Sequence, residues 1–504
     1  MLIINKNNKG GRVKKLRLFI DNEWVEPEAG EYFASYCPAT GEQLAELAMA
    51  SQKDVDRAVK AARAAFSEWS RIDGDKRADL MAKALKIFRK RKDEFAEWEA
   101  KDVGKPIKET RDTDMPYTFR AMEYFSNLGR QIRGNVIPLP GRTAFCYETY
   151  EPYGVVGSII PWNFPLHIAT RTICPALSAG NTVILKASSL APITCSMMGE
   201  IFLEAGYPKG VLNIVSGTGN ITGEAILRHS DVGMVSFTGS SAVGRRCLKA
   251  SAETNLKKVL LELGGKGPFI AAKDCIVDDA VNSLIIGFNF MQGEVCCAST
   301  RAYIHKDIYD EFITKLVRRC NTIKVGDIMN PETQMGSLID GNQYKIIDGY
   351  VQRAVKDGAK LLCGGFRIMD KPLDKGFFYR PTVLEVNSNK LECVQEEIFG
   401  PVVTVMKFID IEEALSLAND TVYGLGATIW SEDYRTLLKG AETINAGIVW
   451  MNTNVMSKIE ASYGGNKLSG LGREGGVVGL MEYLKCKNNV LYTGPKDNYY
   501  GFKD

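Results

Sequence analysis

Cys296 stands in Gly293-Glu294-Val295-Cys296-Cys297-Ala298, a run of glycine and small residues in which main chain can come close to a ligand. A thiol there is either an inert, space-filling side chain or a nucleophile, and the second role needs a base and an electrophile site beside it. Histidine is a poor place to look for the base. The chain has three, His167, His229 and His305, and none lies in a Cys-His protease motif. A carboxylate is the better candidate. Glu262, in Leu261-Glu262-Leu263-Gly264-Gly265-Lys266, ends a β-rich run and meets two glycines, so the chain turns sharply where the acid stands. An acidic residue at such a strand exit can poise a water, or it can be a solvated turn residue.

The sequence Pro161-Trp162-Asn163-Phe164-Pro165 is too rich in proline to continue the strand before it, so it forms a loop that presents Asn163 at the strand's carboxyl end. The Asn163 amide there can donate to an oxyanion or serve ordinary turn chemistry. Two glycine-containing turns are candidates for binding phosphate. Gly217-Thr218-Gly219, with Gly223 four residues on, follows the run Val-Leu-Asn-Ile-Val but is one residue longer than the dinucleotide fingerprint. Phe237-Thr238-Gly239-Ser240 lies between a strand-like and a helix-like run, which puts free N–H groups and a hydroxyl where a pyrophosphate is favoured. A plain strand-to-helix turn is the alternative.

These residues need a scaffold, and the apolar periodicity supplies one. From Asp54, and again from Arg77, apolar residues recur at helical spacing. After Tyr153, short β-rich runs around residues 155–160, 181–188, 211–217 and 231–239 alternate with helix-like segments beginning near Ala191 and Gly219. That rhythm predicts an α/β fold with a parallel sheet and a nucleotide site at its strand ends. A second α/β series follows Gly264. The alternation in residues 143–155 predicts an exposed hairpin, and residues 482–493 a last strand; an exposed strand edge of this kind calls for a partner copy.

Composition narrows the function class. With 504 residues the chain is long enough for two or three cores. Its 63 basic and 60 acidic residues are interspersed, with no basic stripe interleaved with aromatics, so nucleic acid is not an expected partner. No apolar run approaches the roughly 20 residues that span a bilayer. The basic start is followed by no apolar segment or cleavage site of a secretory signal and reads as a floppy tail. Twelve cysteines in so long a chain, without a C-x-x-C pair at zinc spacing, predict reduced thiols, a cytoplasmic setting and no metal.

Taken in order, Phe19–Trp24, PWNFPL, PALSAGNTVILK, SFTGSSAVG, LELGGK, GEVCCA, EEIFGPV and KLSGLGRE closely resemble the aldehyde dehydrogenase superfamily from about Leu18 to Thr493. The resemblance implies a Rossmann-type cofactor domain (17–133 and 154–263), an α/β catalytic domain (264–477) and a β oligomerisation arm (134–153 and 478–496), after an N-terminal extension (1–16). It implies a homodimer or homotetramer acting on a small aldehyde. Cys296 becomes the nucleophile, Asn163 and the Cys296 N–H the oxyanion hole, Glu262 the activator of the hydrolytic water, and Glu474 a proton-relay acid. Trp162, Lys186, Ser240, Glu397 and Phe399 match contacts to NAD or NADP, with Gly219 and Phe237 in the turns that flank it. Because Glu262 is present, the resemblance favours hydrolysis over transfer to coenzyme A; a coenzyme A-acylating relative and a silent structural relative are the alternatives.

Three departures from the family pattern stand out. Ser189 replaces a glutamate that clasps the adenosine ribose, so NADP should be tolerated as well as NAD. Glu294 replaces a glutamine beside the nucleophile, and Thr172 a relay lysine. The family's aldehyde tunnel maps to Tyr117, Phe164, His167, Arg171, Phe290, Val295, Cys297, Lys458 and Tyr463. Arg171 matches members that oxidise semialdehydes or lactaldehyde. It implies a short anionic or hydroxylated aldehyde unless the guanidinium pairs with a protein carboxylate.

Overall fold

The structure of the chain, a computed structural model, describes residues 14–140, 144–456 and 458–494. Two large sheets dominate. In the first, five parallel strands run in the spatial order Lys258–Glu262, Val232–Thr238, Val155–Ile159, Thr182–Lys186, Leu212–Val215, with antiparallel additions at both edges. Chain order reverses between Val155–Ile159 and Val232–Thr238. At such a reversal the connections leave towards opposite faces and open a crevice beyond the strands' carboxyl ends. Both Trp162-Asn163 and Gly239-Ser240 lie just past those ends. All five strands are almost wholly buried, as continuous Val/Ile/Leu runs require when helices cover both faces.

The helix Gln52–Trp69 shows why these segments fold as they do. Val55, Ala58, Val59 and Ala62 form its buried stripe, and Ser51 with Asp54 closes a capping box over its first turn. The second sheet has six parallel strands, Thr382–Glu385, Val402–Phe408, Ser299–His305, Gly267–Ala271, Gly426–Trp430 and Ile448–Met451, with Lys360–Cys363 antiparallel at one edge. Only Leu263–Lys266 separates the last parallel strand of the first sheet from Gly267–Ala271 of the second. The short strand Gly470–Leu471, from the segment expected to be catalytic, returns to the edge of the first sheet.

Two expectations change. The exposed hairpin is replaced by one strand: Ala144–Pro152 is the middle strand of a three-stranded antiparallel sheet between Val136–Ile137 and Leu484–Tyr492, because the far end of the chain supplies a nine-residue partner, and Thr143 lies outside the described residues. The N-terminal extension is not all tail, since Lys14–Leu16 pairs in parallel with Gln43–Ala48; residues 1–13 lie outside the described residues. Among the described residues no helix is long and apolar enough to cross a membrane.

Candidate active site

The crossing from the first sheet to the second is where the candidate residues meet. Glu262 ends its strand fully buried, and neither carboxylate oxygen has a hydrogen-bond partner among the described residues. Gly264 and Gly265 then allow two close approaches that no side chain would permit. A Cβ on Gly264 would lie 2.0 Å from a Glu397 oxygen, and one on Gly265 2.4 Å from the Cys296 carbonyl. The Gly265 N–H donates to Glu397 Oε1 at 2.9 Å.

Cys296 follows a tight turn in which Met291 and Gln292 both have positive φ, 52° and 53°. It is the partly exposed member of the Cys296-Cys297 pair, while Cys297 is buried. The Cys297 thiol and burial push Cys296 up, while the Tyr463 hydroxyl, 3.2 Å from its sulfur, and Arg171 pull it down. The Asn163 side chain donates from Nδ2 to the Glu294 carbonyl, two residues before Cys296, at 2.8 Å, and its second N–H has no partner among the described residues.

Arg171 and Glu474 form a buried ion pair, and the guanidinium lies 4.5 Å over the Tyr463 ring. Burial would lower Arg171, but Glu474, the Tyr117 and Tyr463 phenols and Glu262 outweigh it and raise it well above its usual value. Burial lifts Glu474 too, against the pull of Arg171. Glu262 is held well above the carboxylate range by burial and then by Glu474, with Arg171 opposing. This meets the alternative left open by the sequence: Arg171 pairs through Nε with a protein carboxylate, Glu474.

Removing that cation should therefore cost stability. Arg171→Leu leaves two neighbouring buried carboxyls without a counter-charge, a loss of about 3–5 kcal/mol. The sign with pH follows from the raised carboxyls. Folded, they stay protonated where the unfolded chain has released its protons, so the deficit grows as pH rises above the ordinary carboxylate range. Denaturant midpoints at mildly acidic and mildly alkaline pH measure this, and midpoints equal to wild type at both would show that the pair contributes nothing.

The aromatic candidates form one wall. Tyr117 stacks on His167 with centroids 3.5 Å apart, and Phe164 stacks on Phe290 at 5.9 Å. Burial, then Arg171 and Lys105, hold His167 well below its usual value, so the imidazole is neutral. Lys458 does not join this wall in a buried position. It is exposed, and its charge is one of those that act on Glu460.

The remaining candidates lie along the first sheet's carboxyl edge. Lys186 ends its strand buried, with no ion pair among the described residues, and burial lowers its ammonium to about 8. Ser189 is half-buried three residues on. Ser240 is exposed and caps the helix Ser241–Glu253, after the buried Phe237. Gly219 opens a five-residue π turn and is exposed; it is Gly217, at φ 147°, that the turn cannot replace, because a Cβ there would meet Thr222 Oγ1 at 2.1 Å. Trp162 and Phe399 meet edge to face at 5.5 Å across the crevice. Glu397, lifted to about 8 by burial, lies against Gly264 and Gly265, close enough to Cys296 for the two to act on each other.

Two of the departures acquire a local meaning. Glu294 turns its carboxyl away from the thiol and accepts the Ile339 N–H at 3.1 Å, and burial raises it well above its usual value. Thr172 bonds Ser158 at 2.6 Å. Sequence reasoning missed Lys105, buried beneath Asn163 and donating to its carbonyl at 3.2 Å, together with the acids Glu99, Glu109 and Asp114 around it. A signal existed in the lysine that precedes Pro106 at a helix exit, but polar residues near a helix end read first as a solvated face.

The aldehyde dehydrogenase family model matches residues 24–489. An aldehyde dehydrogenase of Enchytraeus buchholzi is 39% identical over 488 residues, covering 96% of this chain and 97% of that protein. A mitochondrial aldehyde dehydrogenase of Homo sapiens is 38% identical over 485 residues, covering 96% and 93%. The solved structure of a Staphylococcus aureus betaine aldehyde dehydrogenase in complex with NAD+ superposes with a TM-score of 0.95 at 34% identity, covering 97% of each chain. With a match of this extent, a likeness that runs the length of its relatives, and an α/β architecture shared with a solved member, the chain belongs to the aldehyde dehydrogenase family.

Proposed function

We propose that the protein oxidises a short neutral aldehyde to its acid through a thioester on Cys296, with NAD or NADP as hydride acceptor. The observation that carries this reading is the convergence of a partly exposed thiol, an unpartnered buried carboxyl and a side-chain amide where the two sheets meet. The Cys296 thiolate attacks the carbonyl carbon, and the oxyanion takes the free Asn163 N–H and the Cys296 main-chain N–H; losing one such donor typically costs about 100- to 1000-fold in rate. A dinucleotide held by Lys186, Ser240 and Glu397 would supply the hydride acceptor for that carbon. Glu262 then takes a proton from water, which attacks the thioester, releases the acid and returns the thiolate to Cys296. Glu474 is the acid through which that proton leaves.

The crevice suits the dinucleotide. Lys186 is a buried ammonium at a strand end with no ion-pair partner among the described residues, the Ser240 helix start offers N–H groups, and Trp162, Glu397 and Phe399 border the approach to the thiol. Ser189 offers a hydroxyl where a carboxylate would repel a 2′-phosphate, so both cofactors are accepted. Ser189→Glu should then weaken NADP far more than NAD, since two like charges a few ångströms apart at the surface of a protein cost on the order of a few kcal/mol. Titration of each cofactor measures this, and equal loss for both would remove Ser189 from the ribose site.

For the aldehyde, the aromatic wall of Tyr117, Phe164, His167 and Phe290, with an imidazole kept neutral, favours an uncharged polar or aromatic tail over an anionic one. Following NAD(P)H absorbance with short neutral and anionic aldehydes of equal length, with and without coenzyme A, tests substrate class and acceptor together. Higher kcat/KM for the anionic set, lost selectively in Arg171→Leu, would restore the anionic substrate. A requirement for coenzyme A would make the enzyme acylating.

Phe145, Tyr147, Val490, Leu491 and Tyr492 are exposed on the three-stranded sheet, and Leu484–Tyr492 has one edge unpaired among the described residues. A second copy covering that sheet gives a homodimer or homotetramer. Twelve free thiols fit a reducing, cytoplasmic setting.

A further inference from the structure

The segment between the helices Lys92–Val103 and Met115–Leu128 is polar and turned by a π-helical stretch at Thr110–Asp114; Lys105, Thr110 and Asp114 are buried and Glu109 partly so, while Lys108, Asp112 and Thr113 face solvent. It reaches both sides of the thiol. Lys105 pairs with Asp114, lies 4.4 Å over the Phe164 ring and donates to the Asn163 carbonyl at 3.2 Å. Glu109 accepts the Met291 N–H at 3.2 Å, at the first of the two positive-φ residues that precede Cys296. Glu99 accepts the Leu166 N–H at 3.2 Å, in the first turn after the Asn163 loop. The neighbouring Gly104 carbonyl accepts the Ser337 N–H, whose own carbonyl accepts from Gln292 Nε2.

We infer that Lys105 and Glu109 are positioning residues for the oxyanion site: Lys105 fixes the main chain that carries the Asn163 amide, Glu109 fixes the turn that carries the Cys296 N–H, and the one segment sets the distance between the two donors. The inference rests on the proposed oxyanion role of Asn163. Neither side chain touches substrate, so each acts through the group it holds. Burial lifts Glu109 to about 8, so at neutral pH a carbonyl-type oxygen receives the Met291 N–H, and glutamine would keep that acceptor.

The full-length variants Lys105→Met, Glu109→Leu and Glu109→Gln separate this from general damage. Three quantities are read: the rate of the first NAD(P)H burst, the Kd for the cofactor, and the rate at which iodoacetamide alkylates Cys296, a displacement that forms no oxyanion. Lys105→Met and Glu109→Leu should slow the burst on the order of 10- to 100-fold, because displacements of about an ångström cost that much. Alkylation and cofactor Kd should stay within about twofold, and Glu109→Gln should recover most of the burst rate. A burst unchanged in both truncations, or slowed only in step with alkylation, overturns the inference. If Lys105→Met does not fold, the Glu109 pair decides alone. Asn163→Ala distinguishes the two levels: if it leaves the burst intact the oxyanion reading itself fails, and if it slows the burst while Lys105→Met and Glu109→Leu do not, only the present inference fails.

Discussion

Cys296→Ala should lose aldehyde oxidation and any esterase side activity together, by a factor on the order of 10⁴ or more, because both need the same thiolate. The neighbouring thiol makes the test sharp. Cys297 is buried, with its Cβ against the space that Gly426 leaves open, but its thiol meets Cys296 and the Tyr463 hydroxyl, which with Arg171 hold it below its usual value against burial, so a second thiol stands beside the proposed nucleophile. A variant that retains substantial oxidation would shift the nucleophile to Cys297. Cofactor binding should survive the substitution, since Lys186, Ser189 and Ser240 lie at other strand ends.

Glu262→Gln should keep a first burst of NAD(P)H equal to one turnover per site while steady turnover falls by about 10²- to 10⁴-fold, the usual contribution of a general base. Acylation needs the thiolate and the oxyanion donors; only deacylation needs a base for water. The raised Glu262 carboxyl adds a pH signature. A carboxyl held well above its ordinary value by burial and Glu474 must lose its proton to act as base, so wild-type steady turnover should climb as pH rises beyond the ordinary carboxylate range and the variant's residual turnover should not share that climb. Undiminished steady turnover in Glu262→Gln would remove it from the reaction.

How far the sequence could be read depended on whether a feature was local. The strands of the first sheet announce themselves as short Val/Ile/Leu runs between turn residues, and the reversal between Val155–Ile159 and Val232–Thr238 sets Asn163 and Ser240 at one crevice. Glu262 at a strand exit before two glycines was legible for the same reason. What the sequence could not show was which distant charges meet. The partner of Arg171 is Glu474, brought alongside by the backbone bridge between Tyr463 and Glu474, and nothing near either residue in the sequence specifies it. Lys105 and Glu109 were hidden because a buried polar segment and a solvated helix end share one composition. Lys14–Leu16 was read with the tail because three residues carry no usable alternation.

The link Leu263–Lys266 has a consequence for recombining this enzyme with its relatives. Four residues reach at most about 14 Å, so the end of the Glu262 strand is held close to the start of Gly267–Ala271, and Cys296 comes beside it because the strand that follows it, Ser299–His305, pairs with Gly267–Ala271. A chimera spliced within this link would inherit the acid from one parent and the cysteine from the other, with Gly264 and Gly265 threading between them at distances set by neither parent alone. Junctions placed elsewhere, in the exposed turn around Gly358 for example, would leave that spacing intact. The two halves of the catalytic centre are in this sense inherited as a single unit.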